Sequence, residues 1–140
     1  MKKIILVIAL ILPIMLNAQD VLGTWKTVDD ETGEAKSYVE IYKNNGKVYG
    51  KIIKLLQEKD QSKPCTACKG KDKDKPIVGL VILKNLSKDG AEFGGGTIMD
   101  PNNGKVYKCY ITLEEDNKLK VRGYIGFSLM GRTQYWYRVN

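Results

Sequence analysis

The sequence predicts an all-β fold: a single small antiparallel barrel of about eight strands, following a cleaved signal peptide. Two observations carry this. Short segments of alternating or β-branched character, separated by turn signals, recur along the chain with no internal repeat, the pattern of an all-β sandwich or barrel. Their number, about eight, is the number that closes a small barrel around packed side chains or one small ligand. Closure also removes the strand edges that would otherwise invite aggregation.

Residues 1–18 stand apart. "MKKIILVIALILPIMLNA" places two lysines before an apolar run from Ile4 to Leu16 and ends on the small residue Ala18, the layout of a secretory signal. The run is too short to span a bilayer comfortably and no second one follows, so the mature chain is expected to carry no transmembrane segment. No cysteine stands at the cleavage point to take a lipid. Residues 19–140 are then one exported domain, periplasmic or secreted, and a chain of that length buries a core of its own. Removing Lys2 and Lys3 leaves 21 basic against 16 acidic residues, a formal +5. Six lysines and three aspartates between Lys59 and Pro76 put +3 of that into one segment. Its alternation "KGKDKDK" interleaves opposite charges and is expected to be a solvated loop rather than a docking patch. Export argues against nucleic acid as a partner.

The expected strands run in order. "VLGTWKTV" (21–28) leads through the polar turn "DDETGE" to "KSYVEIYK" (36–43). That segment meets "KVYGKIIKLL" (47–56) across Asn44-Asn45-Gly46, where Asn-Gly supplies the positive φ angles of a tight hairpin. "IVGLVILKNL" (77–86) is continuously apolar at its centre, but is short, β-branched and preceded by proline, which favours strand over buried helix. The three glycines of "AEFGGGTIMD" (91–100) suggest a bulge or sharp bend. "PNNG" turns the chain into "KVYKCYITLEE" (105–115), with Tyr107, Cys109, Ile111 and Leu113 on one face. "KLKVRGYIG" (118–126) follows, with Leu119, Val121 and Ile125 opposite Lys118, Lys120 and Arg122, and "GRTQYWYRVN" (131–140) ends the chain. An outer-membrane barrel shares the alternation, but its lipid face would have to accept these lysines and arginines.

"GTW" in the first strand and an arginine in the last resemble the closure of lipocalin-like (calycin-like) barrels, in which Arg138 would lie across Trp25 as a cation on an aromatic face. A longer resemblance covers nearly all of 19–140. "GTW", "VEIYKNNGKVYGKIIKL", "KPIVGLVIL", "GGGTIMDPNNGKVYKCYITL" and "KVRGYIGFSLMGRTQYWYRV" together resemble the bacterial exported family catalogued as domain of unknown function 2147. The resemblance implies an exported, small-barrel protein and carries no activity, substrate or catalytic residue with it.

The chemistry-bearing residues are few. Cys65 and Cys68 form a Cys-x-x-Cys pair inside the basic loop 59–76, and in an oxidising compartment such a pair tends to close or to exchange. A thioredoxin-type site needs a helix amino terminus in a βαβ context, which is not visible here. Structural zinc would need two more ligands, and with no histidine in the chain carboxylates or a second chain would have to supply them. A local Cys65–Cys68 disulfide is the favoured reading; exchanging thiols, a metal, or a bridge from Cys109 to the loop remain alternatives. The lack of histidine also removes the usual general base, and no catalytic constellation, metal or cofactor is expected. Asp100, in "IMDPNNG", is the carboxylate in the most patterned context, and a turn-initiating role explains it.

Tyr38, Tyr42, Tyr49, Tyr107, Tyr135 and Tyr137 fall in expected strands; core positions are preferred for them over a ligand lining. "GFSLMGR" (126–132) puts Phe127, Leu129 and Met130 in a connection, where three large apolar groups need an explanation. A plug in the barrel end, a lid and a sticky patch are the options. The expected function is non-catalytic binding of a small apolar or amphipathic molecule by a monomer. Tyr107, Cys109, Ile111, Val121 and Ile125 would form the interior site, with Phe127, Leu129 and Met130 at its mouth. An envelope protein-interaction module, with a protein partner on either loop, is the second reading, and thiol-disulfide exchange at Cys65 and Cys68 the third.

Overall fold

A computed structural model, which describes residues 20–140, shows eight strands wound into a closed antiparallel barrel. They are β1 (Gly23–Val28), β2 (Ala35–Asn44), β3 (Lys47–Leu55), β4 (Val81–Asp89), β5 (Glu92–Met99), β6 (Val106–Glu115), β7 (Lys118–Tyr124) and β8 (Gly131–Arg138). Each pairs with the next, and β8 returns to β1 through Trp25–Arg138 and Lys26–Tyr137. The expected signal peptide, 1–18, lies outside the described residues.

Local chemistry accounts for the corners. Asn45 (φ 51°) and Gly46 (φ 76°) take the left-handed conformations that the β2–β3 hairpin requires. The glycine run of β5 shifts the β5–β6 register between Phe93 and Gly96. A Cβ on Gly96 would sit 2.8 Å from Leu86 Cδ2, so this bend lets two strands approach closely. One boundary differs from expectation. The strand expected at 77–86 begins at Val81 and runs to Asp89, because Gly79 (φ 104°) turns the chain just after Pro76. Ile77 and Leu80 are still buried, but from a loop.

Antiparallel order puts the odd-to-even connections at one end of the barrel and the even-to-odd connections at the other. The β2–β3, β4–β5 and β6–β7 turns share one end with both described chain ends, Asp20 and Asn140. That end is filled: Val21, Trp25, Ile41, Val48, Leu86, Ile111 and Leu119 are all at most 2% exposed. Arg138 seals it, its guanidinium carbon 4.3 Å from the Trp25 ring centroid. The same guanidinium donates to the carbonyls of Leu22 (2.9 Å), Asp20 (2.7 Å) and Asp116 (2.9 Å). A Cβ on Gly23 would come within 2.9 Å of Arg138 Nη1, which explains the glycine of "GTW".

The outer wall is polar. Of the eight tyrosines, Tyr107 alone faces inward; Tyr38, Tyr42, Tyr49, Tyr110, Tyr124, Tyr135 and Tyr137 alternate with inward neighbours and sit outside. This corrects the core expectation for five of the six tyrosines considered. The reason is amphipathy: a partly exposed ring on the wall can take a lysine ammonium over its face, as Tyr135 does with Lys118 Nζ (4.6 Å to the ring centroid) and Tyr110 with Lys120 Nζ (5.6 Å). A wall carrying these lysines is not the apolar band that lipid requires.

Candidate ligand-binding site at the barrel mouth

The other end of the barrel is open. It is framed by the β1–β2 connection, the long β3–β4 loop with the cysteines, the β5–β6 turn and the β7–β8 loop. Towards it the inward side chains leave the large-aliphatic pattern of the sealed end. Thr27 and Ser37 face in, their hydroxyls 2.8 Å apart, with the Ser37 amide donating to Thr27 Oγ1 at 3.1 Å. Gly123 contributes no side chain, and Gln134 Oε1 accepts from the Trp136 indole at 3.2 Å. Small and self-satisfied polar groups there leave space, and the result is a cavity of about 430 Å³. That volume lies in the range of small-molecule sites. Its floor and walls are Ile52, Ile82, Ile98, Val121 and Trp136, with Tyr107 on one side.

The expected site residues divide. Tyr107, Val121, Ile125 and Met130 line the cavity. Cys109 and Ile111 do not; both are 0% exposed and belong to the packed core, so they leave the candidate site. Phe127 (80% exposed) and Leu129 (89%) also leave it: the β7–β8 loop turns them outward. That loop is therefore not a plug. It is pinned by the Ile125 and Met130 backbones, Ile125 N–H to Met130 O at 2.9 Å, and by Arg122 Nε donating to Ser128 O at 2.8 Å. These bonds fix a tight turn whose tip, among the described residues, is exposed. Sequence alternation gives the face on which a side chain lies but not its depth along the barrel, which is why both corrections escaped it.

The rim is acidic. Asp29, Glu31 and Asp100 line the mouth together with Lys36 and Arg132. The Asp29 carboxylate accepts from the Glu31 and Thr32 amides at 2.9 Å each, and these backbone bonds hold its pKa below the usual carboxylate value. Asp30 is held low first by its hydrogen bonds from Arg132, whose Nε lies 3.1 Å from Oδ2 and whose Nη2 also bonds Oδ1. Asp100 has the geometry of a turn former: its Oδ1 accepts from Asn102 N–H at 2.8 Å and its carbonyl from Gly104 N–H at 2.7 Å. Of these rim carboxylates the sequence singles out Asp100 alone, and as a turn former; "DDETGE" looks like an ordinary polar turn until the barrel places it beside the mouth.

The cysteine loop stands next to this rim. Cys65 and Cys68 are disulfide-bonded, and both are buried, at 0% and 3% exposure. A short two-stranded clip closes the loop base, with Cys65 N–H to Lys75 O at 2.7 Å and Ile77 N–H to Lys63 O at 2.9 Å. Cys65 Sγ lies 3.6 Å from Pro101 O, so the clip abuts the β5–β6 turn. A smaller cavity of about 190 Å³ remains between the clip and β4–β5, beside Cys68, Lys69 and Met99. An attacking thiolate needs access to a sulfur, and this burial withholds it. The free thiol, Cys109, is also withdrawn: burial pushes its pKa up to about 12. Among the described residues no group of three acidic or cysteine side chains is placed to hold a metal ion.

Known proteins can be set beside this geometry. A solved structure of protein HP1028 from the human pathogen Helicobacter pylori, described as belonging to the lipocalin family, matches with a TM-score of 0.77 at 22% identity. The match covers 88% of this chain and 85% of that one and shows a shared barrel fold. No curated protein matches the sequence. Residues 23–138 match the bacterial family described as "Uncharacterized protein conserved in bacteria (DUF2147)", and the chain belongs to that family.

Proposed function

We propose that this protein is an exported, non-catalytic carrier that holds one small apolar or amphipathic molecule in the open end of its barrel. The observation that carries this reading is the cavity of about 430 Å³, closed at the Trp25 end and open at the other, with apolar walls and a polar rim. Removing an apolar chain from water against Ile52, Ile82, Ile98, Val121 and Trp136 supplies the affinity, at roughly 25 cal/mol per Å² buried. The rim supplies orientation. The cysteine clip serves as a brace for the β5–β6 side of the mouth. Export to the periplasm or beyond follows from the signal-like residues 1–18 and agrees with a closed disulfide.

The test uses the neutral apolar dye N-phenyl-1-naphthylamine. Saturable fluorescence enhancement at one dye per chain is expected, and Val121→Phe, which fills the cavity from β7, abolishes it while preserving the β-sheet circular dichroism signal. Unsaturable binding, or equal binding by a folded Val121→Phe variant, would remove the proposal. The outward Phe127 and Leu129 favour a second reading, in which the β7–β8 loop meets an envelope protein. A Phe127→Ser, Leu129→Ser variant that keeps every native co-purifying partner would dispose of it.

A further inference from the structure

We infer that the molecule held in the cavity is a cationic amphiphile, with its apolar part inside the barrel and an ammonium-type head at the rim. This rests on the binding reading above and adds the sign of the ligand's charge.

The argument starts from an imbalance. The chain as a whole is basic, at +7. The mouth is the reverse. Asp29, Glu31 and Asp100 line it, and its two cations, Lys36 and Arg132, already have carboxylate partners. Lys36 Nζ is 2.8 Å from Glu34 Oε2. Arg132 is bonded to Asp30 and lies 3.6 Å from Glu31 Oε1. Among the lining residues three carboxylates stand against two cations, a net −1, and both cations are already paired with carboxylates just outside the lining, Glu34 and Asp30. The lysines of the neighbouring cysteine loop fall outside the same lining.

The carboxylates are also available. Asp29 and Asp100 each commit Oδ1 to backbone N–H donors of their own turns. Among the described residues Oδ2 of either takes no hydrogen bond. The turns fix these carboxylates in place, so a ligand would not have to order them. Like charge at the mouth of a low-dielectric cavity repels an anionic head, and opposite charge draws one in. A fatty-acid-type carboxylate would meet a net negative lining in which, among the described residues, both cations already have carboxylate partners. An ammonium head meets two fixed carboxylates above an apolar floor.

Three probes with one chain length separate the possibilities: decylammonium, decanoate and decan-1-ol, each below its micelle-forming concentration at neutral pH, measured by isothermal titration calorimetry. Decylammonium should bind at least tenfold more tightly than decanoate, with decan-1-ol between them, and added salt should narrow the gap. Asp29→Asn with Asp100→Asn keeps the turn acceptors and removes two charges; the decylammonium-to-decanol affinity ratio should fall about tenfold. Glu31→Gln, on an exposed side chain, gives the same direction with less effect if the double variant does not fold. Decanoate or decan-1-ol binding as tightly as decylammonium would overturn the charge assignment and leave the carrier standing. Binding of none of the three would overturn both.

Discussion

Replacing Gly104 by alanine tests whether the cysteine clip and the β5–β6 turn form one rim. Gly104 is buried at φ 71°, and a Cβ built there falls well inside the van der Waals radius of Ala67 O and 2.7 Å from Ala67 C. The left-handed conformation alone costs an alanine about 1–2 kcal/mol. The backbone of Ala67 cannot swing aside as a long side chain would, because the disulfide one residue away holds it. Forced displacement of a packed segment adds about 1–3 kcal/mol. Gly33 is the control: its φ is 74°, but nothing lies within 4 Å of its Cβ, so Gly33→Ala carries the conformational cost alone. In thermal melts Gly104→Ala should lose roughly twice as many degrees as Gly33→Ala, about 10 °C against about 5 °C for a domain of this size. Gly104→Ala should also weaken dye binding, because Asp100, Pro101 and Asn102 of the same turn line the mouth. Equal melting shifts for the two variants would show that the clip does not brace the turn.

Other substitutions address the seal, the latch and the sulfurs. Arg138→Ala removes a cation over Trp25 and three bonds to carbonyls, and should cost about 2–4 kcal/mol in urea unfolding; Arg138→Lys, which keeps the charge without the fork, should recover less than half. Asp30 has a lowered folded pKa, so its pairing with Arg132 stabilises the fold above the ordinary carboxylate value and is lost as pH falls through the lowered one. The pair is partly exposed, so Asp30→Asn should remove no more than about 1 kcal/mol at neutral pH and flatten the acid limb of the stability profile. Cys65→Ser with Cys68→Ser opens a small ring and should cost about 2 kcal/mol, read by the same unfolding curve. Iodoacetamide should leave Cys109 unmodified in native protein and alkylate it in denaturant, as mass spectrometry would report.

The barrel and its seal were legible because they follow from short-range chemistry. Alternation at Val39 and Ile41, or Leu119 and Val121, states which side is inside, and Asn45-Gly46 states where the chain reverses. Gly23, Trp25 and Arg138 are legible as a set because sterics and charge tie all three together. Depth was not legible. Ile111 and Val121 are cross-strand partners with the same face and the same apolar chemistry, yet Val121 borders space and Ile111 does not. Strand tilt, shear and the small residues opposite decide that, and none is local in sequence. Tyrosine misled because its ring satisfies a core and a lysine-lined wall equally well. The rim acids were hidden for the opposite reason: Asp29 and Asp100 look like turn formers and are turn formers, and only their placement around one opening gives them a second use.

The two tryptophans allow the central claim to be tested in a single titration. Trp136 lines the cavity with its indole N–H on Gln134, whereas Trp25 lies at the sealed end with its indole N–H on Val21 O. In ¹H–¹⁵N spectra of the folded protein titrated with decylammonium, followed by decan-1-ol, the Trp136 indole signal should move saturably while that of Trp25 stays fixed. A Trp136 signal unmoved by both probes would contradict the claim that this barrel end is a binding site.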